Sequence, residues 1–339
     1  MDAEQFEKAL HLQRIFMPEF MRRRQAAYVN QTGKEPQPGA IARFAHYTSA
    51  GVAMSIIAEK RMWMRNTNCM SDYSEIQHGY RELLKSFDTK NPDRQRFLGA
   101  IENCSPGAAT QAISLFDQWF QDTSLNTYIT SISEHMVSKD DRSEDQYGRL
   151  SMWRAFGGAS ARVAIVFKIP YQTGVAEALK VLFSPVSYLT EEEIQTVFRE
   201  VVENVNRKQD FLRTVSQQEL VANIFLMLIA SVTCLKHRGF HEEREWRVVY
   251  APMRSPSPFI VPIMREVAGV PQPIYLLPLD KSVSPILKEI DFPNMFDRLI
   301  IGPSPYPRPM YLAFVDALTR AGVHDAGQYV IKSNIPIRA

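Results

Sequence analysis

Apolar positions recur with helical spacing from the start of the chain. Leu10, Leu12, Ile15, Phe16 and Phe20 mark one side of an amphipathic helix expected from about Ala3 to Tyr28, with Pro18 placed to kink or break it. The basic run Met21-Arg22-Arg23-Arg24 reads as a solvated helix face ahead of a partner-binding patch. Gly33, Pro36, Pro38 and Gly39 mark residues 31–39 as a linker. Period-two runs and short apolar runs then predict strands at Phe44–Tyr47, Arg61–Met64, Thr127–Ser133, Arg162–Phe167, Val181–Tyr188, Glu245–Tyr250, Ile274–Leu277, Arg298–Ile301 and Tyr329–Lys332.

Helix punctuation fills the intervals. Thr48 is expected to cap a helix reaching about Glu59, and Ser71 or Asp72 one reaching about Phe87. Asn91-Pro92 and Ser105-Pro106 each read as an N-cap followed by proline at the first helical position, and these two helices end near Asn126. Leu150–Phe156 is a short helix closed by Gly157-Gly158, and another helix runs from Tyr306 or Pro309 to Ala321. Thr190 with Glu193, and Ser216 with Glu219, have the spacing of capping boxes. The apolar stretch Val221–Val232 contains Asn223, is too short to span a bilayer, and reads as a buried helix. Residues 138–148 are polar and read as a mobile loop. This irregular order lacks the regular alternation of a doubly wound sheet, so the expected class is α+β. The expected division is an N-terminal helix and linker over residues 1–40, followed by one domain over 41–339 with helical insertions at about 88–126 and 190–236.

Composition narrows the setting. The 339 residues are 45% hydrophobic and 22% charged, enough to bury a full core. A net charge of +2 gives no global field toward nucleic acid or membrane, although a local patch would not show in the sum. Cys69, Cys104 and Cys234 lack metal-ligand spacing and fit buried thiols in a reducing compartment. With no basic stretch leading into an apolar run at the N-terminus, the expectation is a cytoplasmic protein without a membrane partner.

No G-x-G-x-x-G, P-loop, H-E-x-x-H or nucleophile-elbow motif is present. The chemistry-bearing residues sit instead at strand ends. His46-Tyr47-Thr48 closes an early strand; a histidine there suits a ribose hydroxyl, or a backbone bond in the core. Asp72 and Glu75 read equally well as an N-cap and its capping-box partner. Ser131 and Ser133 share one face of their strand, which lets a ligand approach closely and also suits an ordinary edge strand. Trp153 and Phe156 share a helix face, as core or as a stacking wall for a planar ring. Glu242-Glu243-Arg244-Glu245-Trp246-Arg247 runs directly into the apolar strand Val248-Val249-Tyr250. Carboxylates entering a core are costly unless paired. Alternation puts Glu243, Glu245 and Arg247 on one side, where Arg247 can pair with Glu245.

In order, these segments resemble the bacterial family known as domain of unknown function 2971, over about Phe44 to Tyr250. Its pattern has an early H-Y-T strand, an N-D-x-x-E-like turn, a serine strand, a tryptophan helix and a late E-x-E-W-R strand. Ser71 departs from it, where the family usually has asparagine. That family is in turn similar to ADP-ribosyltransferases. The resemblance implies a split mixed sheet holding NAD in a cleft, with His46, the Ser131/Ser133 strand and Glu245 as the signature positions in order. It implies Glu245 as the carboxylate facing positive charge that develops on a ribose as nicotinamide departs. It further implies His46 and Thr48 on the other ribose, Ser131 or Ser133 supporting Glu245, and Trp153, Phe156 or Tyr47 against nicotinamide. Glu243 and Arg247 complete the binding set, and no metal is required. Residues 138–148 would act as a lid or acceptor-recognition loop. The implied acceptor is a protein or nucleic acid, the setting a toxin or antiviral defence effector, and an antidote protein a partner for the added helices.

Two other classes stay open on the residues. One is a non-catalytic nucleotide- or partner-binding module on the same scaffold. The other is a hydrolase or metal-dependent nuclease using His46, Asp72, Glu75 and Glu245, which the lack of H-x-H or D-x-D spacing disfavours.

Overall fold

The computed structural model describes residues 3–37, 39–69, 73–123, 126–136, 141–155, 161–171, 174–253, 255–267 and 269–336. The N-terminal helix breaks at its proline. α1 (Ala3–Phe16) ends, and α2 (Pro18–Thr32) starts with Pro18 in the first turn, where a missing N–H is tolerated. β1 (Ile41–Ser49) extends through Thr48, so Ser49 rather than Thr48 caps α3 (Ala50–Glu59), accepting from the Val52 N–H. β2 (Arg61–Asn66) and α4 (Tyr73–Ser86) follow. Ser71 and Asp72, the expected caps of α4, lie outside the described residues, as does the side chain of Glu75.

α5 (Pro92–Cys104) begins as read, with Asn91 accepting from the Asp93 N–H. Ser105-Pro106 starts no helix. Ser105 closes α5, and Gly107, at φ 82°, turns the chain into α6 (Ala108–Thr123). Next come β3 (Tyr128–Glu134), α7 (Ser143–Tyr147), α8 (Leu150–Ala155), β4 (Arg162–Pro170), α9 (Val175–Ala178), β5 (Leu182–Pro185) and β6 (Ser187–Tyr188). α10 (Glu191–Arg207) and α12 (Gln217–Thr233) flank α11 (Gln209–Arg213), and both long helices carry the reciprocal capping boxes expected of them. β7 (Leu235–Lys236), β8 (Glu245–Tyr250), β9 (Val261–Val267), β10 (Val270–Pro278), α13 (Phe292–Met295), β11 (Phe296–Ile301), α14 (Pro307–Arg320) and β12 (Val330–Lys332) complete the fold.

The class is α+β. The described strands form a ten-stranded, mostly antiparallel sheet in the order β12-β11-β4-β1-β3-β2-β10-β9, with β8 on the other edge of β3 and β5 on β8. Only β11 and β12 run parallel within it, and β6 pairs with β7 in a separate small sheet. One edge of β3 is divided. Glu134 and Ser133 pair with Phe44 and Ala45 of β1, whereas Ile129 and Tyr128 pair with Arg65 and Asn66 of β2. Thr130, Ser131 and Ile132 pair with neither strand, so β1 and β2 diverge there and the sheet is split into two wings.

Alternation sends the two faces of β3 and β8 into different cores. Ile132, Trp246 and Tyr250 join Tyr28, Phe44, Phe167 and Phe292 on one face. Ile129 and Val249 join the helical bundle built from α1, α4, α5, α6, α10 and α12 on the other. Beside that bundle, Ala45, Tyr47, Met152, Trp153 and Ile300 form a third small cluster. Among the described residues no helix is long and apolar enough to cross a membrane. Of the three cysteines Cys234 is buried and Cys104 partly so, but Cys69 is exposed, against the expectation of buried thiols.

The candidate active site around Glu245

Glu245 opens β8, and its side chain is turned inward, 5% exposed. A carboxylate at that depth needs partners, and it has several. Arg247, two residues on and therefore on the same side, donates from Nε to Oε1 at 2.8 Å and from Nη2 to Oε2 at 3.2 Å. Ser131 Oγ donates to Oε1 at 2.5 Å across the β3–β8 ladder. Lys236 Nζ donates to Oε2 at 3.2 Å and to Glu243 Oε2 at 2.6 Å. The Arg247 side chain is fully buried and spends Nη1 on the Thr233 carbonyl at 2.7 Å. Among the described residues, two carboxylates and two cations thus meet at this point.

The balance of forces on Glu245 is clear in sign. Burial pushes its carboxyl upward. The charges of Arg247 and Lys236, with the bonds from Arg247 and Ser131, outweigh burial and bring it down to about 2. At neutral pH Glu245 is therefore an ionised, fixed charge. It suits electrostatic stabilisation of a cation and not proton transfer.

The approach to β8 differs from the sequence reading. Residues 238–243 form a 3-10 turn capped by His237, and Arg244 adopts φ 44° before the strand begins. Glu243 is thus not part of the alternating strand. Lys236, rather than strand alternation, ties it to Glu245. Arg149 braces this turn from the other side, donating to the carbonyls of Glu242 and Glu243 at 2.6 and 2.9 Å and to that of Glu134 at 2.5 Å.

Glu245 reaches the wall of an open cleft of about 600 Å³. Glu134, Tyr188, Arg23, Arg238 and Arg244 share that wall. The volume lies in the range of small-molecule sites, roughly 300–1,000 Å³. Tyr188 accepts the backbone N–H of Glu245 at 2.8 Å, and burial pushes its phenol far up, so it stays protonated. Burial likewise raises Glu134, although Trp246 Nε1 donates to it at 3.0 Å. The arginines bring positive charge, each already held by one carboxylate: Arg23 by Glu19, Arg238 by Glu193 and Arg244 by Glu144.

The other sequence candidates are only partly gathered here. His46 lies on the Phe44 side of β1 by alternation, opposite the Ser131 hydroxyl. Its Nδ1 sits 2.9 Å from the Ser131 carbonyl, at the split in the sheet. Burial lowers its pKa against the help of that bond, so the ring is neutral at pH 7. Ser131 thus joins His46 and Glu245, through its carbonyl and its hydroxyl. Ser133 is buried, with Oγ 4.0 Å from Met152 Sδ. Thr48 is partly buried opposite Val163 in the β1–β4 ladder.

Tyr47 accepts the Arg149 N–H at 2.9 Å and meets Trp153 edge-on at 4.8 Å. Trp153 donates to the Tyr147 carbonyl at 2.8 Å, leaves no room for a side chain at Gly148 and packs tightly on Gly302, so it serves as core here. Phe156, its expected partner, lies outside the described residues. The segment read as a mobile loop is pinned where it is described. Asp145 of α7 meets His135 Nε2, Arg43 and Arg298, each at 3.0 Å. Among the described residues no group of three or more His, Cys, Asp or Glu converges as a metal site.

Lys236, Tyr188, Arg149 and Glu134 were missed by sequence reasoning. Tyr188 and Glu134 each end a strand, and Lys236 directly follows the buried run that ends at Leu235. A lone lysine at the end of a buried apolar run was the available signal, since it must find a carboxylate.

No curated protein and no solved structure matches the chain. The model of the family described as Protein of unknown function (DUF2971) matches residues 152–248, from α8 to β8, and so takes in Trp153, Glu243, Glu245 and Arg247.

Proposed function

We propose that the chain is an NAD-dependent ADP-ribosyltransferase in which Glu245 is the catalytic carboxylate. The observation that carries this reading is the Ser131–Glu245 hydrogen bond, which holds an ionised carboxylate at the wall of a cleft of ligand size. The donor set suits NAD as substrate. Arg23, Arg238 and Arg244 offer positive charge to a diphosphate, and Glu245 offers an acceptor to a ribose hydroxyl. Breaking a nicotinamide–ribose bond builds positive charge on the sugar, which a preorganised anion stabilises without reorganising. The divergence of β1 and β2 beside Ser131 supports this reading, in which NAD lies in a cleft of the sheet. The acceptor in this reading is a protein or nucleic acid.

The test is release of nicotinamide from NAD by the purified protein, and transfer of label from NAD in a cell lysate. Glu245→Asp keeps the charge for Lys236 and Arg247 but withdraws the carboxylate by one methylene. It is expected to fold and to lose on the order of a hundredfold in rate. Full activity in that variant, or no nicotinamide release from the folded wild type with any acceptor pool, overturns the assignment.

A second reading, a non-catalytic nucleotide-binding module, has its own support. Both oxygens of Glu245 are already engaged by Arg247, Lys236 and Ser131, as in a purely structural ion cluster. It predicts that NAD raises the melting temperature without turnover.

A further inference from the structure

On the face of β8 opposite Glu245 lies a different kind of cavity, about 120 Å³ and lined mostly by apolar side chains. Ile132, Trp246 and Val248 of the sheet form its floor, and Tyr171, Ala176 and Leu179 part of its walls. Val248, Phe183 and Val181 keep some exposure there, although they point into the core side of the sheet. The size is close to that of an engineered apolar cavity of about 150 Å³ that takes up benzene.

One group at this cavity does not fit an oily void. Arg24 of α2 lines it, with its guanidinium carbon 5.8 Å from the centre of the Trp246 ring and 6.0 Å from that of Phe183. Its Nη2 donates to the Phe183 carbonyl. Burial draws its pKa below the ordinary guanidinium value, opposed by the phenols of Tyr28 and Tyr171, and no carboxylate pairs with it among the described residues. Its neighbours in the same basic run are treated differently: Arg22 and Arg23 both pair with Glu19. A partly buried guanidinium given, among the described residues, only ring faces and one carbonyl lacks a bidentate anionic partner.

We infer that this cavity is a binding site for a small apolar monocarboxylate, its hydrocarbon body against Trp246, Ile132 and Val248 and its carboxylate on Arg24. The charge and the shape each select. A neutral isostere gains the burial without the ion pair, and an amine of the same shape meets a like charge. The cavity shares no lining residue with the Glu245 cleft, so the inference stands whether or not the chain is a transferase.

The experiment is titration of the full chain with benzoate and hexanoate, followed by calorimetry and by thermal unfolding. Benzyl alcohol, hexanol and hexylamine serve as isosteres. Saturable one-to-one binding of the acids is expected, with a rise in melting temperature, and at least tenfold weaker binding of the alcohols and the amine. Arg24→Met is expected to bring the acids down to the level of the alcohols. Ala176→Phe, which fills the cavity and leaves Arg24 untouched, is expected to abolish binding of acids and alcohols alike. Absence of saturable binding, alcohols binding as tightly as acids, or unchanged acid binding in either variant overturns the inference.

Discussion

Glu245 shows how one side chain can be both a stabilising element and a candidate for chemistry, and pH separates the two. Its carboxyl falls from an ordinary value of 4.5 to about 2 on folding, because Arg247 and Lys236 outweigh burial. A depressed carboxyl contributes its stability in full above the unfolded value and loses it as pH falls through the folded one. The contribution is on the order of 3 kcal/mol and should vanish progressively between about pH 4.5 and pH 2. Glu245→Gln removes the charge at every pH and takes one carboxylate away from Arg247 and Lys236; removing one member of a buried ion pair costs about 3–5 kcal/mol. Urea unfolding of both proteins at neutral pH and in steps to pH 3 checks this. The wild-type advantage should narrow as acid is added, and a gap independent of pH would show that charge is not what holds Glu245.

Helix α4 crosses α12 where Gly79 faces Val232, and the two backbones are close enough that a Cβ on Gly79 would stand 2.5 Å from the Val232 carbonyl oxygen. Helix propensity alone says that Gly79→Ala stabilises by about 1 kcal/mol. Packing says the reverse, since the clash is with backbone that cannot swing away, and overpacking of this kind costs about 1–3 kcal/mol. Net destabilisation is therefore expected, read as a lower urea midpoint with an unchanged slope; a raised midpoint would mean that the crossing yields. This close approach was invisible in the sequence because Val232 lies far along the chain. What was legible had its partners nearby. The Thr190–Glu193 and Ser216–Glu219 boxes, the Asn91 cap and the Glu245–Arg247 pair each need residues only two or three apart. The Ser131–Glu245 and Lys236–Glu245 bonds depend on ladder register and on a turn; the lone lysine after a buried run signals that a carboxylate must meet it, not which one. β9 was not anticipated because Pro262, Pro271 and Pro273 argue against strands, yet an edge hairpin tolerates them.

At the scale of the molecule, the sheet separates two large cores, and the N-terminal helices serve both. Leu12, Ile15 and Phe16 of α1 are buried in the bundle, whereas Tyr28 of α2, 1% exposed, packs edge-on to Tyr171 at 4.8 Å and against Phe44 and Trp246 on the opposite side. Arg22 adds an ion pair to Glu200 of α10 at 2.6 Å. A buried aromatic covers roughly 150–250 Å² and each Å² of apolar surface is worth about 25 cal/mol, so Tyr28 and Phe16 together amount to several kcal/mol. Whole domains are stable by only about 5–15 kcal/mol. Removal of residues 1–32 should therefore do more than trim an appendage. It opens the floor of the bundle and uncovers Trp246, the residue between Glu245 and Arg247, so both cores lose order together. The truncated chain is expected to bind a hydrophobic dye and to lose cooperative unfolding. A shorter truncation ending at Phe16 takes only the bundle contacts, so the sheet side with Tyr28 should keep its near-ultraviolet signal. A truncated chain that unfolds sharply at the wild-type urea midpoint would show that α1 and α2 lie on the cores without holding them.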